Sequence, residues 1–309
     1  MELFSKNKNL KDIKKYIDDK LIDFLKKEKN EILKDIMYYS LTDGKRIRPI
    51  ISYLTFKNCK TNLDFDESKF SKIILIPELL HNISLIIDDL PCMDNDLYRR
   101  GKETTHHKYG ILPSYITISR IIYNITHFFR NEIDINKKFN FKKRNGIVSE
   151  LYLRDFLFDN YFEHINKLIE GQFDDLTFDS SENDIQIIYQ INSNKTAPLF
   201  TLSFVIGYLC KVIFNENFVV EEDLIDKLGE LGNLFGFIFQ LNDDILDRED
   251  DKKENKNLNL SLHLGLENSL LEFEKNCKLF EQKMQKLNLW DSNFKEIIDL
   301  LKKRIYINR

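Results

Sequence analysis

The sequence predicts an all-α protein whose helices pack around one core. The chain has 309 residues, of which 42% are hydrophobic, and it includes 24 Phe and 13 Tyr, enough to fill a large core. Only ten Gly and five Pro are present, so few positions break helices. Apolar residues recur at helical spacing in nearly every segment, and no convincing run of alternating strand residues stands out. We therefore expect a single domain over residues 1–309.

Helical periodicity defines the predicted elements in order along the chain. The predicted helices cover residues 10–33, 36–41, 48–56, 70–88, 114–129, 150–168, 185–192, 198–214, 221–247 and 262 to the C-terminus. The predicted loops are 58–68, 131–146, 179–184 and 248–260, which are polar and rich in Asn, Lys or Asp. These breaks indicate loops and not domain boundaries.

Composition and charge argue against several classes of protein. The net charge is only −4, and the basic residues are scattered, so no nucleic-acid surface is indicated. No run of about 18 apolar residues suggests a transmembrane segment, because even the apolar stretch 73–87 carries Glu78, His81 and Asn82. The four cysteines lack zinc-site spacing and are expected to be free thiols. We expect a cytoplasmic protein, or a plastid-like organelle if a targeting peptide has been trimmed.

Two aspartate clusters are the most informative feature for function. Asp88, Asp89 and Asp94 follow the mostly apolar residues 84–87, and a second cluster, Asp243, Asp244 and Asp247, follows the mostly apolar run 235–241. Charges at the end of an apolar run are drawn toward the interior, where they must be paired or bound to a metal. Other acidic pairs, such as Asp18 with Asp19 and Asp250 with Asp251, lie in lysine-rich stretches and indicate solvated surface.

The spacing within each cluster favours a shared cation. On a helix, Asp243 and Asp247 project to the same side about one turn apart. Pro91 bends or ends the turn after Asp88, so Asp94 can return toward it. Carboxylate oxygens are ligands that suit Mg²⁺. The clusters, with basic residues nearby, predict a site for magnesium and a diphosphate.

The motifs together resemble the trans-isoprenyl diphosphate synthases, the family of farnesyl and geranylgeranyl diphosphate synthases. Residues 44–49 match the motif GKRxRP, residues 78–81 an ELIH-type helix, and residues 88–94 the DDxxxxD form of the first aspartate motif. Residues 99–102, a Gly171-Gln172 pair with Asp175, a Lys195-Thr196 pair and residues 239–247 follow in the order of the family. The resemblance covers nearly the whole chain and implies an isoprenoid synthase-type helical bundle around a deep central cavity.

The resemblance assigns roles to residues. It implies that the metal ligands are Asp88, Asp89, Asp94, Asp243, Asp244 and Asp247. Arg99, Lys195 and Gln240 would bind an allylic diphosphate, and Lys45, Arg48, His81 and Arg100 the diphosphate of isopentenyl diphosphate. Thr196 and Gln172 would line the path of the allylic cation, and the departing pyrophosphate would take the final proton. Asp88, Asp94, Lys195, Thr196 and Asp243 are therefore the candidate catalytic residues of a Mg²⁺-dependent prenyltransferase. Members are typically homodimers, which the resemblance alone implies here.

Two of these assignments have an ordinary alternative. A single histidine on an apolar helix is often a core residue, although its place seven residues before Asp88 favours the site for His81. Ile83 and Ser84 would face the growing prenyl chain, and because neither is aromatic, a product of about 20 carbons is expected. Ile83 as a plain core residue is the competing interpretation, and a farnesyl product remains open. His106 and His107 are interpreted as loop residues.

Three departures from the family pattern stand out. Residues 248–253 replace a glycine-lysine pair whose lysine touches the allylic diphosphate, and Lys252 or Lys253 is the predicted substitute. Ile118 with Ser119 replaces a glycine-aspartate pair, and Lys167 replaces a small residue. These changes leave a second hypothesis open, namely a weakly active or non-catalytic regulatory subunit that binds prenyl diphosphates.

Overall fold

Thirteen helices and five short strands form the part of the chain that the computed structural model describes, residues 9–59, 66–177, 185–215, 218–253 and 258–307. The all-α prediction is confirmed. The predicted loop 179–184 lies outside the described residues. The helices are α1 Leu10–Leu25, α2 Glu31–Leu41, α3 Ile47–Asn58, α4 Glu67–Asp88, α5 Thr105–Tyr109, α6 Ile111–Glu132, α7 Leu153–Thr177, α8 Ile185–Phe214, α9 Glu222–Leu246, α10 Arg248–Lys253, α11 Leu260–Leu264, α12 Leu266–Lys286 and α13 Ser292–Ile307.

The predicted N-terminal helix 10–33 is in fact two helices. α1 ends at Leu25, and Asn30 starts α2 by accepting a hydrogen bond from the backbone N–H of Leu33 at 3.0 Å. An asparagine at this position satisfies a backbone donor that the first turn of a helix leaves free. The polar residues 26–29 offer no apolar side chain that would carry the buried stripe of α1 onward.

α8 runs without a break where the sequence predicted two helices. It spans 30 residues with Pro198 inside it. Proline lacks the N–H that would bond the carbonyl of Asn194, which usually ends or bends a helix. Here α8 is buried over most of its length, so the packing of its apolar face outweighs the lost hydrogen bond.

Five short strands correct the prediction that strands are absent. β1 (Tyr98–Arg99) and β2 (Lys102–Glu103) form an antiparallel hairpin. β3 (Lys138–Lys142) pairs antiparallel with β4 (Val148–Tyr152) and parallel with β5 (Val219–Glu221), giving the order β4-β3-β5. The predicted loop 131–146 therefore contains a strand, and the helix predicted from residue 150 begins at Leu153.

The sheet is held by an aromatic cluster. Phe139 and Phe141 alternate toward the interior, and their rings lie 5.2 and 5.4 Å from that of Phe156 on α7. The alternation covers only five residues, too few to register against the surrounding helical pattern.

Glycines let three helices meet closely beside the candidate site. A Cβ on Gly171 of α7 would lie 2.5 Å from the backbone carbon of Asn194 on α8, and one on Gly236 of α9 would lie 2.7 Å from the Cα of Ala197. No side chain fits at these distances, so glycine is needed for the approach. The close packing places Lys195 and Thr196 at the junction of α7, α8 and α9.

Two helices are long and apolar enough to cross a membrane by length and composition alone. They are α4 and α8, and their most apolar windows are 72% and 89% buried inside the protein. Burial of this extent is the ordinary state of the central helices of a bundle.

Candidate active site

One cavity of about 1200 Å³ brings most of the predicted site residues together. Both aspartate clusters contribute to its lining, together with basic residues from α3, the β1–β2 hairpin and α8. The predicted residues that line it are Lys45, Arg48, His81, Asp88, Asp89, Arg99, Arg100, Gln172, Lys195, Thr196, Gln240, Asp243 and Asp247. Asp94 and Asp244 are not part of the lining.

The first aspartate cluster sits where α4 ends. Asp88 is the last helical residue, and the chain turns so that the backbone N–H of Asp94 donates to the carbonyl of Asp88 at 2.9 Å. Asp94 is nevertheless exposed, whereas Asp89 is buried. Burial raises the pKa of Asp88 to about 6, and the charge of Asp94 adds to the increase while Lys195 and Arg99 oppose it. Burial also raises the pKa of Asp89, so the cluster holds two carboxylates whose charge is costly without a cation.

The hairpin after this cluster aims two arginines at the cavity. Arg100 and Gly101 occupy the turn with φ of 56° and 76°, the pair of positive angles that a two-residue hairpin turn requires. Arg99 bonds Asp89 through Nε and Oδ1 at 2.6 Å. Arg100 is exposed and lines the cavity.

Within the second cluster, Asp244 turns into the protein. One carboxylate oxygen accepts from Gln240 Nε2 at 2.7 Å and the other from the backbone N–H of Leu260 at 2.9 Å. Burial raises the pKa of Asp244 to about 7, although these two donors act in the opposite direction. Both oxygens are thus engaged in fixing the chain at the start of α11, while Asp243 and Asp247 line the cavity.

A chain of hydrogen bonds links the carboxylate of Asp244 to the wall of the cavity. Thr196 Oγ1 donates to Gln240 Oε1 at 2.8 Å, and the amide of Gln240 donates in turn to Asp244. The neighbouring Lys195 pairs with Asp175. Burial by itself disfavours the ammonium, but Asp175 and Asp88 outweigh it and raise the pKa of Lys195. Lys195 therefore stays charged at the cavity.

The GKRIRP segment, residues 44–49, contains one arginine that holds helices together and one that lines the cavity. Arg46 is buried and bridges Asp18 and Glu78 at 2.7 and 2.8 Å, which ties α3 to α1 and α4. Arg48 is also buried, lines the cavity, and lies over the ring of Phe200 at 4.5 Å. Burial lowers the pKa of Arg48 to about 10.

Two buried donors at the cavity have no partner within the described chain, namely Arg48 Nε and Gln172 Nε2. Burying such a donor is costly unless something accepts from it. His81 is nearby and neutral, since burial and the cations Arg48, Arg100 and Arg99 lower its pKa. Donors concentrated in this way suit a polyanion that enters the cavity.

The sequence analysis missed Arg304 on α13. Its Nη1 donates to Asp243 Oδ1 at 2.9 Å and to Asn242 Oδ1 at 2.8 Å, and it lines the cavity. No motif marks it, because it lies 61 residues after Asp243 in the sequence. The predicted substitutes for the missing lysine are elsewhere: Lys252 and Lys253 are exposed on α10, outside the lining, and Lys253 bonds Asp250 at 2.8 Å. His106 and His107, predicted to lie in a loop, belong to the short helix α5.

The donor set fits magnesium bound together with a phosphate. Among the described residues, no three His, Cys, Asp or Glu side chains form a metal cage by themselves. Mg²⁺ is usually held by one or two carboxylates plus substrate phosphates and water, so a full protein cage is not required. Asp88, Asp89, Asp243 and Asp247 supply carboxylates at one cavity and would hold the ions there. When bound, magnesium would neutralise charge on a diphosphate leaving group.

We expect the affinity for magnesium pyrophosphate to fall below pH 6. The pKa of Asp88 is raised to about 6 in the free protein, so its carboxyl group is neutral below that pH and ionised above it. A metal must displace the proton, which costs about tenfold in affinity per pH unit below the pKa. Calorimetric titrations from pH 5 to 8 measure this step.

The control for this titration is Asp88→Asn, measured with the same ligand so that the titration of pyrophosphate itself cancels. The variant should bind more weakly and lack the step near pH 6. An identical pH dependence in both proteins would contradict the assignment of that step to Asp88.

The family model described as "Polyprenyl synthetase" matches residues 30–265. The chain belongs to the polyprenyl synthetase family. A farnesyl diphosphate synthase of Buchnera aphidicola subsp. Schizaphis graminum is 29% identical over 272 residues, covering 85% of this chain and 84% of the relative. A farnesyl diphosphate synthase of Bacillus subtilis is 30% identical over 251 residues, covering 79% and 76%.

Geranylgeranyl pyrophosphate synthase 4 of Arabidopsis thaliana is similarly close, at 31% identity over 230 residues, covering 72% of this polyprenyl synthetase and 54% of the relative. Among solved structures, the geranyltransferase of Helicobacter pylori complexed with magnesium and isoprenyl diphosphate has a TM-score of 0.67 at 21% identity, covering 98% and 99% of the two chains. The geranyltranstransferase of Thermotoga maritima has a TM-score of 0.70 at 21% identity, covering 94% and 97% of the two chains. The predicted family and the class of prenyltransferase are confirmed. Relatives with different products match equally well, so identity does not distinguish product length.

Proposed function

We propose that this polyprenyl synthetase condenses isopentenyl diphosphate with allylic diphosphates in a Mg²⁺-dependent reaction to form a product of about 20 carbons. One observation carries the proposal: a single cavity of about 1200 Å³ joins aspartates and cations to a long apolar wall. Pockets for small molecules usually measure about 300–1000 Å³, so this cavity suits an unusually long ligand. Its apolar wall includes Ile83, Ile87, Ile122, Phe162, Ile165, Leu168 and Ile169.

The basic residues of the cavity form two groups, and each group binds the diphosphate of one substrate. Lys195 and Arg99, next to Asp88 and Asp89, hold the allylic diphosphate and orient its leaving oxygen. In the free protein Arg99 pairs with Asp89 and Lys195 with Asp175, so each cation is already charged and held at the cavity when a diphosphate enters. Mg²⁺ would replace Arg99 as the partner of the buried Asp89.

The second substrate, isopentenyl diphosphate, binds to the other group of basic residues. Lys45, Arg48, His81 and Arg100 bind the diphosphate of isopentenyl diphosphate, and Arg48 Nε gains the partner it lacks in the free protein. Arg48 is anchored over Phe200, so little side-chain freedom is lost on binding.

Oxygen dipoles stabilise the allylic cation between the two substrates. The side-chain amide of Gln240 is oriented by the hydrogen bond that it donates to Asp244, and Thr196 Oγ1 keeps its lone pairs as acceptors because its proton is donated to Gln240. Such preorganised dipoles stabilise charge that develops in a transition state. The proton lost at the end of the condensation passes to the released pyrophosphate.

A homodimer is part of this proposal. Several large apolar side chains are exposed on α6. They are Ile111, Leu112, Tyr115, Ile116 and Tyr123. An apolar helix face of this kind favours burial against another subunit.

The test is incubation of the pure protein with Mg²⁺, isopentenyl diphosphate and, separately, five-, ten- and fifteen-carbon allylic diphosphates, with products resolved by chain length. We expect one dominant product of 20 carbons from each starter. Accumulation of the 15-carbon product would instead identify a farnesyl diphosphate synthase. Intact binding of pyrophosphate without any product would favour a regulatory subunit, the candidate that the missing glycine-lysine pair supports.

A further inference from the structure

We propose that Arg304 is a diphosphate-binding residue that exchanges partners, bonding Asp243 in the free protein and the allylic diphosphate in the substrate complex. The inference rests on the proposed function and deepens it, because it supplies the phosphate contact that residues 248–253 lack. Arg304 lies on α13, far in sequence from every other residue of the site, and its guanidinium lines the cavity.

A buried asparagine on α9 holds Arg304 in place. Asn242 is fully buried, and its amide accepts from Arg304 at 2.8 Å while donating to the carbonyl of Leu301 at 2.8 Å. Both bonds join α9 to α13, whose apolar residues Ile298, Leu301 and Ile305 are buried. The guanidinium is thus positioned by the packing of α13 and not by Asp243 alone.

The bond to Asp243 is suited to exchange. The side chains of Arg304 and Asp243 are 34% and 32% exposed, so water reaches the pair and screens its charges. Ion pairs of this exposure contribute little to stability and are broken at small cost. A guanidinium also bonds phosphate oxygens through two parallel N–H groups, which a single carboxylate contact leaves unused.

The surrounding charge favours an anion once metal is bound. Lys45 and Arg100 line the same part of the cavity, and the pKa of Lys45 is lowered first by burial and then by the charge of Arg304. Asp243 and Asp247 are the carboxylates that offset these cations. If those carboxylates held magnesium, the guanidinium of Arg304 would be free to bond the diphosphate.

Among the described residues of α10 and the C-terminal part of α13, the neighbouring lysines do not reach the site. Lys302 pairs with Glu274 on α12, and Lys303 is exposed. Neither residue belongs to the cavity lining, and the same is true of Lys252 and Lys253 on α10. Lys303→Gln is therefore the matched control for Arg304→Gln, since it removes one positive charge from the adjacent position of α13.

The experiment compares the full-length wild type with Arg304→Gln, Arg304→Lys and Lys303→Gln. Steady-state kinetics give KM for the allylic substrate and for isopentenyl diphosphate separately, and calorimetry with inorganic pyrophosphate and Mg²⁺ gives affinity without turnover. We expect Arg304→Gln to weaken pyrophosphate binding and raise the allylic KM roughly ten- to hundredfold. Arg304→Lys should recover part of the loss, and Lys303→Gln should match the wild type.

Three outcomes would overturn the assignment. Unchanged pyrophosphate affinity and allylic KM in Arg304→Gln would remove the residue from the binding site while leaving the proposed function intact. A rise confined to the KM of isopentenyl diphosphate would place Arg304 on the other substrate. A lower melting temperature of the free protein with unchanged KM would make its role structural. Absence of both turnover and pyrophosphate binding in the wild type would instead refute the proposed function itself.

Discussion

Replacing Asp88 or Asp243 by asparagine is expected to lower turnover about 10²- to 10³-fold, the loss typical when a group that stabilises transition-state charge is removed. Both carboxylates line the cavity, and each stands beside a cation, Lys195 in one case and Arg304 in the other. Asparagine keeps the shape of the side chain but removes the negative charge that binds Mg²⁺. Steady-state rates at saturating substrate measure the effect.

The matched control for these variants is Asp250→Asn. Asp250 is exposed on α10, bonds Lys253 and lies outside the cavity lining, so its loss should leave turnover unchanged. Raising the Mg²⁺ concentration should recover part of the activity of Asp88→Asn, because the weakened site then fills by mass action. Activity equal to that of wild type in either asparagine variant would contradict the magnesium role.

Replacing Ser84 by phenylalanine is expected to shorten the dominant product by at least one five-carbon unit. Ser84 lines the cavity one turn before Asp88, and its Oγ donates to the carbonyl of His81 at 2.9 Å. A phenyl ring at this position would project into space that the growing chain requires, while the two diphosphate sites remain unchanged. Product chromatography with a ten-carbon starter provides the measurement.

Ser68→Phe makes the same change of side chain on the same helix, at an exposed position outside the cavity lining. It should leave the product distribution of wild type. Equal product lengths in Ser84→Phe and wild type would show that the chain grows along another wall. Such a result would favour α7, whose Phe162, Ile165 and Ile169 also line the cavity.

Much of the site was predictable because its residues lie in short, local patterns. Asp88 and Asp243 each close an apolar helical run, so burial of a charge was apparent from the sequence alone. The hairpin at Arg99 to Lys102 was not predicted, although Gly101 is the residue type that favours the positive φ of a two-residue turn. Helical periodicity likewise predicted most of the helices, because it depends on neighbours within a few turns.

Other features depended on contacts between distant segments. Asp244 has the same sequence context as Asp243, yet it faces the start of α11 because the backbone N–H of Leu260 is available there. Pro198 should have ended a helix, but burial of α8 between its neighbours overrides that local preference. The strand at residues 138–142 forms because it finds partners in β4 and β5.

The sequence by itself determined the helical class, the two carboxylate groups and the order of the basic motifs. Only the tertiary structure decided which carboxylates of each group reach the cavity, and that Arg304, not Lys252 or Lys253, stands beside Asp243. The reason is physical. Periodicity and charge spacing report on one helix at a time, whereas a binding site is made where helices remote in sequence pack together.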